Sequence, residues 1–277
     1  VSNWPLASAL AAHVNYTSGY QSPDICSSSA TPHTDGSWAE IIAAADNPGG
    51  CGMVFSTHHS VYAAGSAHYA VSIAFGASGS EIEIPLRYGG ATGIYRQSGQ
   101  QNYVPLQIPA GVRIAARARI AEGYAQDYYV NLAVVRSSVL WPVGFARVDH
   151  VGFDAANTKG TACPLGTYPD GGAITQLTAA TSFRARALLP RWWSSTGGSY
   201  QPTWFRFFVG AGGVEFPIGP WFSALNHEAE NSNPAGAGGA GGGCIPVDIP
   251  AGSRVSARVL MPSYSSGSGF VSCILFG

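Results

Sequence analysis

Ile108-Pro109-Ala110-Gly111, trailed by Arg113, Ala116 and Arg117, returns 141 positions later as Ile249-Pro250-Ala251-Gly252, trailed by Arg254, Ala257 and Arg258. The same displacement pairs Tyr129-Val130 with Phe270-Val271 and Val135 with Phe276. Towards the start, Trp4-Pro5 and His13-Val14 return as Trp141-Pro142 and His150-Val151, and Cys26 as Cys163, all displaced by 137. Asp35-Gly36 matches Asp170-Gly171 at a displacement of 135. A repeat of this length is a whole domain rather than a solenoid unit. The chain therefore reads as two copies of one design, residues 1–137 and 138–277, each large enough for its own core. Residues 137–140 form the junction, and so short a connection should hold the copies close together.

Within each copy the dominant period is two. Tyr69, Val71, Ile73 and Phe75 alternate with Ala70, Ser72 and Ala74; Ile82, Ile84 and Leu86 alternate with Glu81, Glu83 and Pro85. Val112, Ile114, Ala116 and Ala118 oppose Arg113, Ala115, Arg117 and Arg119. That pattern predicts antiparallel strands with one face packed and one polar. The best helical candidate is 38–45, although its match at 173–180 contains two threonines. Gly76-Ala77-Ser78-Gly79 and its counterpart Gly210-Ala211-Gly212-Gly213 separate strands, glycine there permitting positive φ in a tight connection. In Ile-Pro-Ala-Gly, proline fixes φ and the glycine closes a turn before an Arg-bearing strand. Many short strands, Gly/Pro turns and no helical crossovers predict an all-β chain of two tandem antiparallel β-sandwiches, jelly-roll-like, related by internal duplication. The glycine tract at 234–243 reads as an expanded surface loop of the second copy.

Composition narrows the function classes. Charged residues are 10% of the chain, against about 25% in an ordinary soluble protein. So thinly charged a surface is weakly soluble alone, which suggests that neighbouring subunits cover much of it. Thirteen of the fourteen basic residues are Arg, Lys159 being the exception, and Arg suits buried contacts through its weaker hydration and forked donors. A high-GC genome is the alternative source of that bias. With a net charge of −1 there is no basic excess, so a nucleic-acid partner is not expected. Residues 6–12 are too short an apolar stretch, without a positive flank, to read as a signal peptide, and no run reaches the length of a membrane helix.

Five cysteines leave at least one unpaired within a monomer. Only Cys26 and Cys163 match across the repeat, whereas a duplicated internal bridge needs two matched cysteines per copy. Buried free thiols made in a reducing cytoplasm are the expectation; intermolecular bridges are the alternative.

Signals for chemistry are weak. His58-His59 and His68 cluster near one strand entrance, and His13 and His150 each precede a matched cysteine by thirteen, but nothing completes the three or four ligands of a zinc site. No Gly-x-Ser-x-Gly elbow occurs, and serines gather in turns such as Ser27-Ser28-Ser29. A glycosidase needs two carboxylates about 5 to 9.5 Å apart. Neither Glu81 with Glu83 nor Glu228 with Glu230 recurs as a pair in the other copy, and solvent-facing strand positions account for the first two. The expectation is a protein without catalytic residues, metal or cofactor.

Aromatics are the most suggestive feature. Trp141, Trp192, Trp193, Trp204 and Trp221, five of the seven tryptophans, lie in the second copy. Trp192-Trp193 precede a Ser/Gly loop ending at Tyr200, and such rings stack on sugar faces or fill partner contacts. Adjacent strand residues face opposite sides, so only one of the two lines a given surface. Trp192, Trp193, Tyr200 and Trp221 are therefore the candidate glycan or partner contacts, while Trp204, Phe205, Phe207 and Phe208 are expected to pack in the core or a subunit contact.

The segments Trp38-Ala39-Glu40-Ile41-Ile42-Ala43, Gly76-Ala77-Ser78-Gly79-Ser80-Glu81 and Leu106-Gln107-Ile108-Pro109-Ala110-Gly111-Val112-Arg113-Ile114-Ala115 resemble those of tandem β-sandwich virion proteins of tailed bacteriophages. The resemblance implies a non-enzymatic structural protein used as head decoration or spike, or as a neck or tail attachment. Its expected partners are other virion proteins and copies of itself, its place the virion after assembly in the host cytoplasm. It carries no catalytic residues. The alternative from a different class is a glycan-binding host-recognition module using the second-copy tryptophans.

Overall fold

A computed structural model describes residues 24–59, 67–92, 102–121, 123–136, 144–154, 156, 159–167, 169, 171–194, 201–226, 244–261 and 268–277. The matches at Trp4-Pro5, His13 and Trp141-Pro142, the junction at 137–140 and the glycine tract at 234–243 lie outside them. Alternation becomes strand throughout. The first half holds β1 (Asp24–Ser27), β2 (Ala39–Ile42), β3 (Gly52–His59), β4 (Ala67–Phe75), β5 (Ile82–Thr92), β6 (Asn102–Val104), β7 (Ile114–Ile120) and β8 (Asp127–Val135). The second holds β9 (Val148–Val151), β10 (Phe153–Asp154), β11 (Lys159–Thr167), β12 (Thr175–Thr178), β13 (Ala185–Ser194), β14 (Gln201–Val209), β15 (Phe216–Asn226), β16 (Ile245–Ile249), β17 (Val255–Met261) and β18 (Ser268–Phe276). The fold is all-β, of the sandwich and jelly-roll kind.

The helical candidate at 38–45 is a strand, β2, followed by a single 3₁₀ turn at Ala44–Asp46. Pairing decides the outcome: β2 joins β7, which buries Ile41 and Ile42 and overrides the local helix preference of the alanines.

Strand order repeats between the halves. β1-β8-β3-β6 and β2-β7-β4-β5 form the two sheets of the first half; β11-β18-β13-β16 and β12-β17-β14-β15 occur in the second. Partners correspond one for one, Cys26–Tyr128 with Cys163–Gly269, Gly52–Val135 with Ala187–Phe276, and Phe75–Ile114 with Val209–Val255. Even the irregularities recur, at Ser72/Ile73 against β5 and at Phe205/Phe207 against β15. β2 maps onto β12 at a displacement of 136, Ala39–Ala116 answering Thr175–Ala257, one residue off the Asp35-Gly36 sequence match. The second half adds β9 beside β18 and β10 beside β11, and a parallel contact of β11 with β17 links its two sheets.

Turn chemistry explains why the repeated motifs survive. Gly76 and Gly210 have φ of 126° and 131°, values open to glycine, at the start of the β4–β5 and β14–β15 connections. Each Ile-Pro-Ala-Gly turn is clamped by a buried polar residue. Asn47 donates from Nδ2 to the Pro109 and Val112 carbonyls at 3.0 and 2.6 Å, and its own carbonyl accepts from Gly111 N–H at 3.0 Å. Thr181 donates from Oγ1 to the Pro250 carbonyl at 2.9 Å and accepts from Gly252 N–H at 2.8 Å.

The core of the first half is completed by the second. Ala187 and Leu189 of β13, with Ile274 and Phe276 of β18, belong to the same apolar cluster as Met53, Tyr69 and Val104. Leu188, Cys273 and Leu275, interleaved with them, belong to the second sandwich's interior. The β13–β18 sheet is thus buried on both faces. That is why Ser272-Cys273-Ile274-Leu275-Phe276 is buried without a break, whereas Asn131 and Ala133 of β8 are only half-buried. Around this contact Leu106 bridges Phe145, β9 lies against β5, and the Cys244 thiol donates to the Tyr103 carbonyl at 3.8 Å.

Candidate functional site

The cores are mainly apolar, and among the described residues the largest ion-pair network lies on the outer face of the β2-β7-β4-β5 sheet, with its counterpart on the β12-β17-β14-β15 sheet. On the first, small residues form the floor: Ala70, Ser72, Ala74 and Ala115 are all buried. Over them lies a lattice of ion pairs. Arg119 grips Asp35 with two donors at 2.8 and 2.9 Å; Arg117 reaches Asp35 at 2.9 Å and also Glu83, its guanidinium 4.4 Å from the Trp38 ring. Arg113 donates to Glu40 and Glu81, both at 2.8 Å. The Glu81 carboxylate is held below its ordinary range, first by its own backbone N–H and then by Arg113 and the Gly79 N–H. Glu81 and Glu83 are therefore ion-pair partners of different arginines, rather than merely solvent-facing strand residues.

On the second face the equivalents differ. The Arg113–Glu81 pair is kept as Arg254–Glu215, at 3.1 Å, and Gly213 N–H reaches Glu215 as Gly79 N–H reaches Glu81. Arg117 is kept as Arg258. However, Pro217 stands where Glu83 was and Gln176 where Glu40 was, while Ala70, Ser72 and Ala74 have become Trp204, Arg206 and Phe208. Arg206 stands directly opposite Arg258 across β14 and β17. The Arg258 guanidinium lies 5.5 Å from the Phe208 ring; that of Arg206 lies 5.8 Å from Trp221, its Nε donating to the Gly219 carbonyl at 3.1 Å. Among the described residues neither arginine has a carboxylate within ion-pair distance.

Of the four sequence candidates, Trp221 sits on this face, 39% exposed. Trp192 and Trp193 occupy successive positions of β13, opposite Val271 and Phe270, in the other sheet of the sandwich. Tyr200 lies outside the described residues, as do Glu228 and Glu230. The strands therefore do not bring the tryptophans together. Phe205 and Phe207 fill the core against Phe222, with ring centroids 5.3 and 5.9 Å from it. Arg206 and Arg258 were missed by the sequence reading. Their signal was the alignment itself, which keeps an arginine where its glutamate partner is lost.

The remaining candidates are structural. His150 bonds through Nε2 to the Ser272 hydroxyl at 2.9 Å, and its ring lies 5.0 Å from Phe153. Among the described residues no group of three His, Cys, Asp or Glu could hold a metal ion. All five cysteines are free, with Cys26, Cys51, Cys163 and Cys273 buried. No described helix is long and apolar enough to cross a membrane.

No family model matches the chain, and no curated protein does. Among solved structures it is similar to PNGF-II, with 13% identity and a TM-score of 0.42 over 97% of this chain and 66% of that one. It is also similar to a viral major capsid protein, the STIV MCP, with 10% identity and a TM-score of 0.35 over 91% of this chain and 96% of that one. The chain thus spans about two thirds of PNGF-II's length. At these scores neither likeness bears on activity.

Proposed function

We infer that the chain is a non-enzymatic structural protein of a bacteriophage virion, forming or decorating a symmetric assembly as head decoration or spike, or as neck or tail attachment. Its partners are copies of itself and other virion proteins, and its place is the particle. The resemblance of the strand and turn segments to tailed-phage β-sandwich proteins supports this reading, as does the scarcity of charge. One observation carries it. The first residue of β5 and its equivalent in β15, both edge strands, are bulky, apolar and exposed, Ile82 at 75% and Phe216 at 67%. Elsewhere the copies have diverged widely, yet both keep this feature beside a tight glycine turn. Exposed apolar side chains on sheet edges invite association, and an isolated domain is ordinarily protected from them.

Sedimentation of the full chain over a range of concentrations tests the proposal. Self-association that Ile82→Ser with Phe216→Ser abolishes, while the unfolding curve is unchanged, is the expected result. A chain that stays monomeric at high concentration and binds no other particle protein overturns it.

A further inference from the structure

We propose that the Arg206–Arg258 pair on the outer face of the second half is a binding site for the carboxylate of an acidic saccharide. Two like charges placed directly opposite on neighbouring antiparallel strands repel and destabilise the pairing, a cost that a bound anion removes. The sister position shows carboxylates in that role. There Ser72 stands opposite Arg117, and Arg117 is neutralised by Asp35 and Glu83. In the second half a second arginine has been added and Glu83 has become Pro217, while Asp170, the sequence match of Asp35, lies outside the described residues. The acids of the first-half face cannot fill the gap from another copy, because each is already engaged by its own arginine. Among the described residues no carboxylate takes the place of Glu83, which leaves the pair open to an anion from elsewhere.

The surroundings select its carrier. Arg206 and Arg258 share one face, the first turned towards Trp221 and the second towards Phe208, and each guanidinium offers the forked donors that suit a planar carboxylate. Trp221 beside them is partly exposed, and a flat ring next to cations takes the C–H face of a sugar. Arg206 and Arg258 lie on the inner strands β14 and β17, whose backbone donors and acceptors are spent on β14–β15 and β14–β17 pairing. A peptide recognised by strand addition needs free backbone, which β14 and β17 do not offer at the two arginines. The inference does not rest on the structural role proposed above: a chain can bind such a ligand whether or not it assembles.

The full chain is titrated at low salt with a tetramer of galacturonic acid, its methyl ester and tetraglutamate, read by calorimetry and tryptophan fluorescence. The acidic tetramer should bind, with the ester and tetraglutamate at least tenfold weaker. Arg206→Gln and Arg258→Gln should each weaken it at least tenfold, and Arg206→Lys partly. Arg184→Gln, at an exposed arginine already paired with Asp248, should change nothing. Unfolding curves establish that each variant is folded, and should Arg258→Gln fail to fold, Arg206→Gln decides. Absence of binding, equal affinity for tetraglutamate, or an equal loss in Arg184→Gln overturns the site. Sedimentation run alongside separates this outcome from the assembly proposal, since only the Ile82 and Phe216 substitutions should alter it.

Discussion

The two halves share a strand order, a register and a set of turns, and they part company on one surface. Outside the first sandwich, arginines rest in carboxylates over a floor of alanine and serine; outside the second, Arg254 keeps Glu215 but Arg206 and Arg258 rest on aromatic rings. Interior positions are constrained by close packing and turn positions by φ, so both are slow to change after a duplication. An outer face carries neither constraint. One described face closes its charges internally, whereas on the other Arg206 and Arg258 are the cations proposed above to meet an external anion.

The largest test concerns how separate the halves are. Phe276 is fully buried and packs into the first half's core from a strand of the second, its ring 6.4 Å from Phe145. Phe276→Ala should cost about 3–5 kcal/mol, the range for a truncated core phenylalanine. Calorimetry of the parent chain should show one cooperative transition, because the first core is incomplete without β13 and β18 of the second half. Two independent transitions, with only the later or earlier one moved by Phe276→Ala, would reinstate two self-sufficient domains.

Next in size is a contrast in sign at one structural position. Arg117→Gln strands Glu83 and weakens the hold on Asp35, and should destabilise by roughly 1–2 kcal/mol after allowing for the pair's partial exposure. Arg258→Gln forfeits a cation–ring contact worth about 0.5–1 kcal/mol but relieves repulsion from Arg206, so its net cost should fall below about 0.5 kcal/mol. Urea unfolding of both variants measures the contrast. Equal costs would mean that the second face is as well satisfied as the first, and would remove the reason for an anion there.

Acid should reach the ion-pair lattice before it reaches the core. Glu81 is held below its ordinary value of 4.5 and Asp248 below 3.8, the latter first by its hydrogen bond from Arg184. A lowered carboxyl adds stability that is complete above the ordinary value and is lost as pH falls through the lower folded value. Stability should therefore be flat near neutrality and decline below about pH 4.5. Glu81→Gln should shallow that decline, as urea midpoints across the pH range will show.

What the sequence made legible follows from distance along the chain. Alternation in 69–75 and the glycines at 76 and 210 are local signals, and they yielded strands and turns directly. The duplication was legible because displacement survives divergence. Pairings across the fold were not. Asp35 meets Arg119 over a separation of 84 residues, and no local pattern announces it. The shared core was hidden for a related reason: the apolar run 271–276 fits a strand buried on both faces, but not which body covers the second face. At 38–45, alanines around Ile41 and Ile42 imitated a helix, and only the register with β7 shows otherwise.

The smallest effect returns to the one cysteine the copies share. Cys26 and Cys163 stand at matching positions of β1 and β11, both fully buried and both free. Burial pushes the Cys26 thiol up to about 12, with the Asp127 charge adding to it; the Cys163 thiol rises to about 11, burial being offset by a hydrogen bond with Thr175. The thiolate is the reactive species, and neither site forms it near neutral pH. In the native chain both should therefore resist an aromatic disulfide reagent and react only as fast as the sandwich opens, whereas all five should titrate promptly in denaturant. Stabilising the fold should slow labelling of the two in step if β1 and β11 open together with the shared core. A first-half cysteine that labels well ahead of its partner would show that the edge strand β1 frays by itself, and that the copies, alike in register, differ in how firmly their first strands are held.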